Sequence, residues 1–160
     1  MIDIKLNPNA DTRTAPEIPS EEALMAATDE HISHVQQALS IFANLLERSG
    51  EIHDFTKKAY SEEFYNELTT LKPGDEFKNG KWYKLHISRE RHHLLSRAPD
   101  DVNLVDVLEY ISDGVVAGYA RSGSVYDITI PDELLQKAFR NTVELLKGQI
   151  NLVKEEKADD

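Results

Sequence analysis

EHISHVQQALSIFANLLER, residues 30–48, is the stretch that decides the fold of this chain. Its apolar residues recur at intervals of three and four, so they share one side of a helix. They are Ile32, Val35, Ala38, Leu39, Phe42, Leu45 and Leu46. His31 falls within this stripe and His34 lies near its edge. The pair Ser49-Gly50 is typical of a helix end, so the stretch predicts a long amphipathic helix that stops there.

Further helical segments lie on both sides of this stretch. Ser20-Glu21-Glu22 begins helical sequence, and helices are predicted over 61–71, 82–95, 103–121 and 131–154. Pro73-Gly74 and Asn79-Gly80 disfavour helix, so residues 72–81 are predicted to be a loop. The β-branched run 125–130 is predicted to be an extended connection. We therefore predict an all-α fold of about five helices in one compact domain over residues 20–154. Residues 1–19 are predicted to be a flexible N-terminal arm, and residues 155–160 a charged tail.

Composition limits the classes of function. The 160 residues carry a net charge of −11 and include no cysteine. One domain is expected at this length, and disulfides, thiolate zinc sites and cysteine nucleophiles are excluded. The absence of cysteine fits a cytoplasmic protein, and neither a membrane-spanning run nor a signal peptide is visible. The net charge disfavours non-specific binding to nucleic acid, but it is compatible with a small phosphorylated substrate beside a metal.

The histidines are the main functional signal. The six are His31, His34, His53, His86, His92 and His93, and the acids that accompany them are Asp54, Asp106, Glu109 and Asp113. Imidazole and carboxylate together suit Zn, Fe, Mn, Ni or Co better than Ca. The pattern therefore predicts one or two divalent transition metals as cofactors.

Individual residues leave alternatives open. A histidine inside an apolar stripe, such as His31, is either hydrogen-bonded or a ligand. His53-Asp54 follows a predicted helix end, where it could be a solvated turn or a pair of ligands. His86 and His93 are seven residues apart and share a face of a continuous helix, whereas His92 joins them only if that helix ends first. The choice between His92 and His93 stays open.

The acids Asp106, Glu109 and Asp113 share one face of the helix predicted over 103–121. That face is opposite the apolar stripe, so the three acids could simply be its solvated side. Gly114 and Gly118 favour a functional role for Asp113, because small residues in the next turn let another element approach closely.

Several of these pieces resemble a known superfamily. His53-Asp54-Phe-Thr-Lys57 resembles the His-Asp-x-x-Lys segment of the HD-domain superfamily of helical, metal-dependent phosphohydrolases. The stretch from Ser112 to Tyr119 resembles the surroundings of that superfamily's final metal-binding Asp. More closely, the collinear pieces over residues 30–121 are similar to a small uncharacterised family found largely in phages and bacteria.

The resemblance implies a two-metal site made of His31, His53, Asp54, His86, His92 or His93, and Asp113. Lys57 follows Asp54 by three residues and can sit close to a metal-bound phosphate, so we predict catalytic roles for Asp54 and Lys57. The cations available to bind substrate are Lys57, Arg89, Arg91 and Arg121, although each arginine could instead be ordinary surface charge. The predicted function is hydrolysis of a nucleotide or another small phosphorylated molecule. The alternatives are a binuclear iron oxygenase and a non-catalytic, metal-stabilised binding protein, and a homo-oligomer is left open.

Overall fold

The structure is a computed structural model that describes residues 1–7, 17–72 and 74–153. These contain the strands β1 (Ile2–Lys5) and β2 (Ile150–Val153) and the helices α1 (Glu21–Ile52), α2 (Phe55–Ala59), α3 (Ser61–Thr70), α4 (Asp75–Lys78), α5 (Lys81–Arg89), α6 (Leu104–Ser122) and α7 (Asp132–Lys147). The predicted helical fold class is confirmed, with seven helices in these ranges because α2 and α4 are single short turns. None of these helices is both long and apolar enough to span a bilayer. The tail prediction for 155–160, and the part of the arm prediction on 8–16, concern residues outside the described ranges.

The chain divides into two compact units, and α1 and α7 each contribute residues to both. The first unit comprises residues 1–44 and 143–160. In it β1 pairs in parallel with β2, with Ile2 opposite Ile150. The helix predicted over 131–154 therefore ends earlier, at Lys147. The reason is a backbone pairing with the distant segment Ile2–Lys5, which local periodicity cannot reveal.

The second unit, residues 45–142, has a small apolar core. Leu94, Val102, Val107 and Ala138 are buried together, and Leu104, Tyr110, Ile130 and Leu134 pack against them. Helix α6 begins with a capping box, in which the Asn103 side chain accepts from the Val105 amide and the Asp106 carboxylate accepts from the Asn103 amide. This cap fixes the start of the helix that carries Glu109 and Asp113.

The first long helix does not stop at Ser49-Gly50 as the sequence predicts. Gly50 lacks the positive φ of a C-terminal cap, and α1 continues to Ile52. The chain leaves the helix in a turn at His53 and Asp54, and Asp54 has the left-handed φ of 56°. Aspartate is one of the few residues other than glycine that tolerate this conformation. His53 and Asp54 are therefore neighbours in a turn before α2.

A second boundary also differs from the sequence-based expectation. Helix α5 ends at Arg89, because Glu90 adopts an extended ψ of 126°. His92 and His93 therefore lie in the irregular segment after the helix and not on a regular helical face. This is the condition under which both can join His86.

Candidate metal centre

Six of the predicted metal ligands come together in the second unit. The turn after α1 supplies His53 and Asp54, α5 supplies His86, the segment after α5 supplies His92 and His93, and α6 supplies Asp113. These side chains form two groups, and within each group the ligand atoms lie within 4.8 Å of one another. The first group is Asp54, His86, His92 and His93. The second group is His53, His92 and Asp113. His92 belongs to both groups. This cluster could hold a metal ion.

The Asp54 carboxylate lies between the two groups. Its Oδ1 is buried, accepts no hydrogen bond from the described residues, and lies 3.5 Å from His86 Nε2 and 3.7 Å from His92 Nε2. Its Oδ2 lies 3.5 Å from His53 Nε2 and accepts from Lys57. A buried acceptor without a partner costs about 1–3 kcal/mol. A cation bound between these atoms would satisfy it, so the residues present fit a metal.

Glu109 orients two of the histidines. Its Oε1 lies 2.9 Å from His53 Nδ1 and 3.0 Å from His92 Nδ1, and Ser49 donates to its Oε2. Because the carboxylate accepts, both Nδ1 atoms carry the proton and both Nε2 lone pairs are free for a metal. Burial alone would raise the pKa of Glu109, but the hydrogen bonds from His92, Ser49 and His53 outweigh it and lower the pKa to about 2.

His86 is oriented in the same way by a buried chain of two other side chains. The Thr56 hydroxyl donates to Glu90 Oε1 at 2.5 Å and lies 2.6 Å from His86 Nδ1. Since that hydroxyl proton goes to Glu90, its oxygen accepts from His86 Nδ1. Trp82 stacks on the His86 ring, with centroids 4.9 Å apart. His86 Nε2 is therefore left with a lone pair that faces the centre.

His86 and His93 meet at their Nε2 atoms, which are 2.7 Å apart. Burial, followed by the charge of a neighbouring histidine, lowers the pKa of each to about 4. Burial also opposes the charge on His92, but the hydrogen bond to Glu109 outweighs it and raises the pKa of His92. Neutral imidazole is the form that binds metals, so His86 and His93 are ready to bind one at neutral pH.

A cavity of about 380 Å³ adjoins these residues, and we call it the metal cavity. Its wall includes Asp54, His86, His92, His93 and Asp113, together with the cations Lys57 and Arg121. An aromatic part of the wall comes from Phe64, Phe77, Trp82 and Tyr83. The metal cavity thus combines candidate metal ligands with positive charge.

Other predicted site residues lie elsewhere. His31 and His34 are in the first unit, where they line a different cavity with β1 and β2. His31 is exposed, and it belongs to neither group of candidate ligands in the described ranges. Because α1 is unbroken, His31 precedes the end of that helix by about six turns. His31 thus lies in the first unit, whereas both groups of candidate ligands lie in the second.

The predicted cations also differ in position. Arg91 donates to both carboxylate oxygens of Asp106, at 2.6 and 2.9 Å, and to Asp101 at 3.0 Å. The hydrogen bond to Asp106 is the main reason that the pKa of Arg91 is raised. Arg89 is exposed at the end of α5. Of the four predicted cations, Lys57 and Arg121 line the metal cavity.

Sequence reasoning missed the residues that support the histidines. It left Glu109 undecided, and it did not single out Thr56, Glu90 or Trp82. One signal was present, since Glu90 follows His86 by four residues and so lies one helical turn away. The contacts of Glu109 with His53 and His92 span 56 and 17 positions and have no such local signal.

The family of unknown function (DUF5662) matches residues 20–158 of the chain. The chain belongs to this family. No curated protein and no solved structure matches it. All candidate ligands of the metal centre lie within the range matched by DUF5662, but the family's description assigns no activity.

Replacing Thr56 with valine should destabilise this DUF5662 protein by about 1–3 kcal/mol. Valine keeps the shape of the side chain but leaves Glu90 and His86 Nδ1 without their buried hydroxyl partner. Urea unfolding monitored by circular dichroism measures the effect. Thr69→Val is the matched control, because the Thr69 hydroxyl is exposed and bonds only to carbonyls of its own helix. Equal stability of both variants would show that the buried chain contributes nothing.

The metal-free protein should lose stability as the pH falls from about 6.5 towards about 4. His86 and His93 have a lowered pKa in the folded state, so in this range the unfolded chain binds more protons and is favoured. Urea midpoints between pH 7 and pH 4 measure the slope. His93→Gln removes one of the two groups and should make the slope shallower. An unchanged slope in this variant would contradict the assignment.

Proposed function

We propose that this protein is a metal-dependent phosphohydrolase of the HD type that acts on a small phosphorylated molecule. One observation carries the proposal. Five of the six histidine and aspartate side chains with convergent ligand atoms line the same cavity as Lys57 and Arg121, and the sixth, His53, has its ligand atom close to His92 and Asp113 of that set. Metal ligands and cations together are what phosphoryl transfer requires, because charge develops on the phosphoryl oxygens.

The two ligand groups would hold up to two metal ions. His86, His93 and Asp54 would hold one ion, and His53 and Asp113 would hold the other. His92 Nε2 belongs to both groups and would bind one of the two ions. Divalent metals here would supply Lewis acidity, which polarises phosphoryl oxygens and acidifies water.

The chain's own residues would hold and orient the substrate. Lys57 donates to Asp54 Oδ2 and lines the metal cavity, so its ammonium lies where a phosphoryl oxygen would approach Asp54. Arg121, from the last turn of α6, adds a second positive charge on the same wall. We assign the catalytic role to Asp54 and Lys57. Arg121 would bind substrate.

The overall reaction is the hydrolysis of a phosphate ester. Water forms a new bond from its oxygen to phosphorus, and the bond between phosphorus and the ester oxygen breaks. The departing oxygen takes up a proton that the attacking water loses, which gives an alcohol and inorganic phosphate. Half-buried Glu109 would keep His53 and His92 in one tautomer throughout, and buried Glu90 and Thr56 would do the same for His86, because each Nδ1 stays hydrogen-bonded.

Elemental analysis and a substrate screen test the proposal. Protein purified without added metal should contain a transition metal and release phosphate from a panel of nucleotides and other phosphate esters. Asp113→Asn should lower both the metal content and the rate of phosphate release. Asp127→Asn should lower neither, because Asp127 is exposed and outside both ligand groups. No phosphate release with Mn, Co, Zn, Fe or Mg would overturn the proposal. Bound iron with dioxygen consumption and no phosphate release would instead indicate an oxygenase.

A further inference from the structure

A second cavity of about 380 Å³ in the same unit has an apolar wall, and we call it the apolar cavity. Leu46 of α1 and Leu108 and Val116 of α6 form this wall. They are 38%, 46% and 67% exposed, so each leaves apolar surface uncovered in the described structure. Gly50 also lines the cavity, and a Cβ atom added at that position would meet nothing within 4 Å. The space beside Gly50 is therefore free for a ligand.

The apolar cavity adjoins the metal centre. His53, Glu109 and Asp113 form part of its wall, and Asp113 also lines the metal cavity. His53 Nε2 lies 3.7 Å from Asp113 Oδ1, and the His53 and His92 rings have centroids 4.3 Å apart. His92 is on the wall of the metal cavity. The ligand group of His53, His92 and Asp113 thus has members on the walls of both cavities.

The two cavities suit opposite chemistries. The metal cavity is lined by the cations Lys57 and Arg121, and its acids Asp54 and Asp113 are candidate metal ligands, whereas the apolar cavity has the acids Glu109 and Asp113 and no cation among the described residues of its wall. A phosphoryl group is attracted by the cations of the metal cavity and repelled by acids that have no cation on the same wall. An uncharged apolar group gains most where leucine and valine side chains are still in contact with water.

The aromatic wall of the metal cavity offers less uncovered surface to an organic group than the wall of the apolar cavity does. Trp82 is only 3% exposed, and it stacks on Phe64 with centroids 4.1 Å apart and on His86. Its ring surface is therefore already covered by other side chains. Leu68 on that wall is 50% exposed, but the apolar cavity has three such side chains, Leu46, Leu108 and Val116, and so offers more uncovered apolar surface.

We propose that the apolar cavity binds the organic group of the substrate, which makes the substrate a phosphate ester of an uncharged, apolar alcohol. This inference rests on the proposed phosphohydrolase function. The phosphoryl group then lies on the side of Lys57 and Arg121. The ester oxygen lies near Asp113, and the organic group contacts Leu108 and Val116.

Calorimetric binding of two probes to the manganese-loaded protein tests this inference. The probes are inorganic phosphate and n-hexylphosphonate, which carries an apolar chain on a phosphorus–carbon bond that is not hydrolysed. One fully buried methylene contributes about 0.8 kcal/mol, or about fourfold in affinity. Since the cavity wall is partly exposed, hexylphosphonate should bind at least about tenfold more tightly than phosphate. The ratio of the two affinities is the quantity to compare among variants.

Val116→Asp should bring that ratio close to one, because it adds an acid to the apolar wall. Ile111→Asp is the matched control, since Ile111 is an exposed apolar residue of α6 that lines neither cavity. Gly50→Phe is a second variant that fills the cavity without charge, and it replaces a glycine that disfavours the helix. Gly50→Ala adds only a methyl group and should retain most of the ratio.

The outcomes separate the two proposals. A ratio near one in the unmodified protein, with phosphate still bound and esters still hydrolysed, would overturn the apolar cavity as a substrate site and leave the phosphohydrolase function. A tenfold ratio that persists in Val116→Asp and Gly50→Phe would also overturn it, because the chain then binds elsewhere. If neither probe binds and no ester is hydrolysed, the phosphohydrolase function fails, and this inference fails with it.

Discussion

Replacing His92 with alanine should remove most of the metal from the protein and abolish phosphate release. His92 belongs to both groups of candidate ligands, and it is 2% exposed. Its Nδ1 is held by Glu109, so its Nε2 is fixed towards Asp54. Loss of this imidazole should weaken metal binding by both ligand groups, the one that includes His86 and the one that includes His53. Elemental analysis after gel filtration measures the metal content.

His31→Ala is the matched control for this experiment. The resemblance to HD-domain proteins implies that His31 is a ligand, whereas the structure places it in the first unit and outside both ligand groups. We therefore expect His31→Ala to keep the metal content of the unmodified protein. The reverse pattern, with metal lost in His31→Ala and retained in His92→Ala, would show that the metal does not bind at the cluster around His92.

Much of the metal centre could be predicted from the sequence, because ligand identity depends on residue type. The order of His53, Asp54, His86, the pair 92–93 and Asp113 was sufficient to nominate all the side chains that converge. What spacing could not decide was the choice between His92 and His93. Helical periodicity assumes that the helix continues, whereas α5 ends at Arg89. Beyond that point the backbone is irregular and both imidazoles can turn inward.

The helix ends that were predicted wrongly, at Ser49-Gly50 and at residue 154, have a shared cause. Gly50 was expected to end α1, yet glycine only permits the left-handed conformation and does not impose it. Asp54 takes that conformation instead, in a turn that also places its carboxylate among the histidines. At the other end, Ile150–Val153 forms a strand with Ile2–Lys5 and not the last turn of a helix. Both outcomes depend on contacts between segments that are distant in sequence.

The roles of the three acids of α6 were the hardest to predict. Asp106, Glu109 and Asp113 share one face of α6 and look equivalent in the sequence. In the structure each has a different partner: Asp106 binds Arg91 and caps the helix, Glu109 binds His53 and His92, and Asp113 faces His53 Nε2. Their partners come from other segments, so a helical pattern alone cannot rank them.

Replacing Lys57 with alanine should reduce phosphate release by about 10²–10³-fold while metal content is unchanged. A protonated ammonium cannot bind a metal, but it can neutralise charge on a phosphoryl oxygen. Lys57 is placed for this role because it donates to Asp54 and lines the metal cavity. Steady-state kinetics with the best substrate of the screen, together with elemental analysis, measures both quantities.

Lys58→Ala is the matched control, because Lys58 is the neighbouring residue in α2 and is exposed. It should keep both activity and metal. The Lys57 charge also lowers the pKa of Asp54, which burial alone would raise. If Lys57→Ala loses metal as well as activity, the ammonium is needed to keep Asp54 ionised, and its role is to support the ligands. If Lys57→Ala behaves like Lys58→Ala, Lys57 contacts no substrate, and the resemblance to the His-Asp-x-x-Lys segment has no catalytic meaning in this protein.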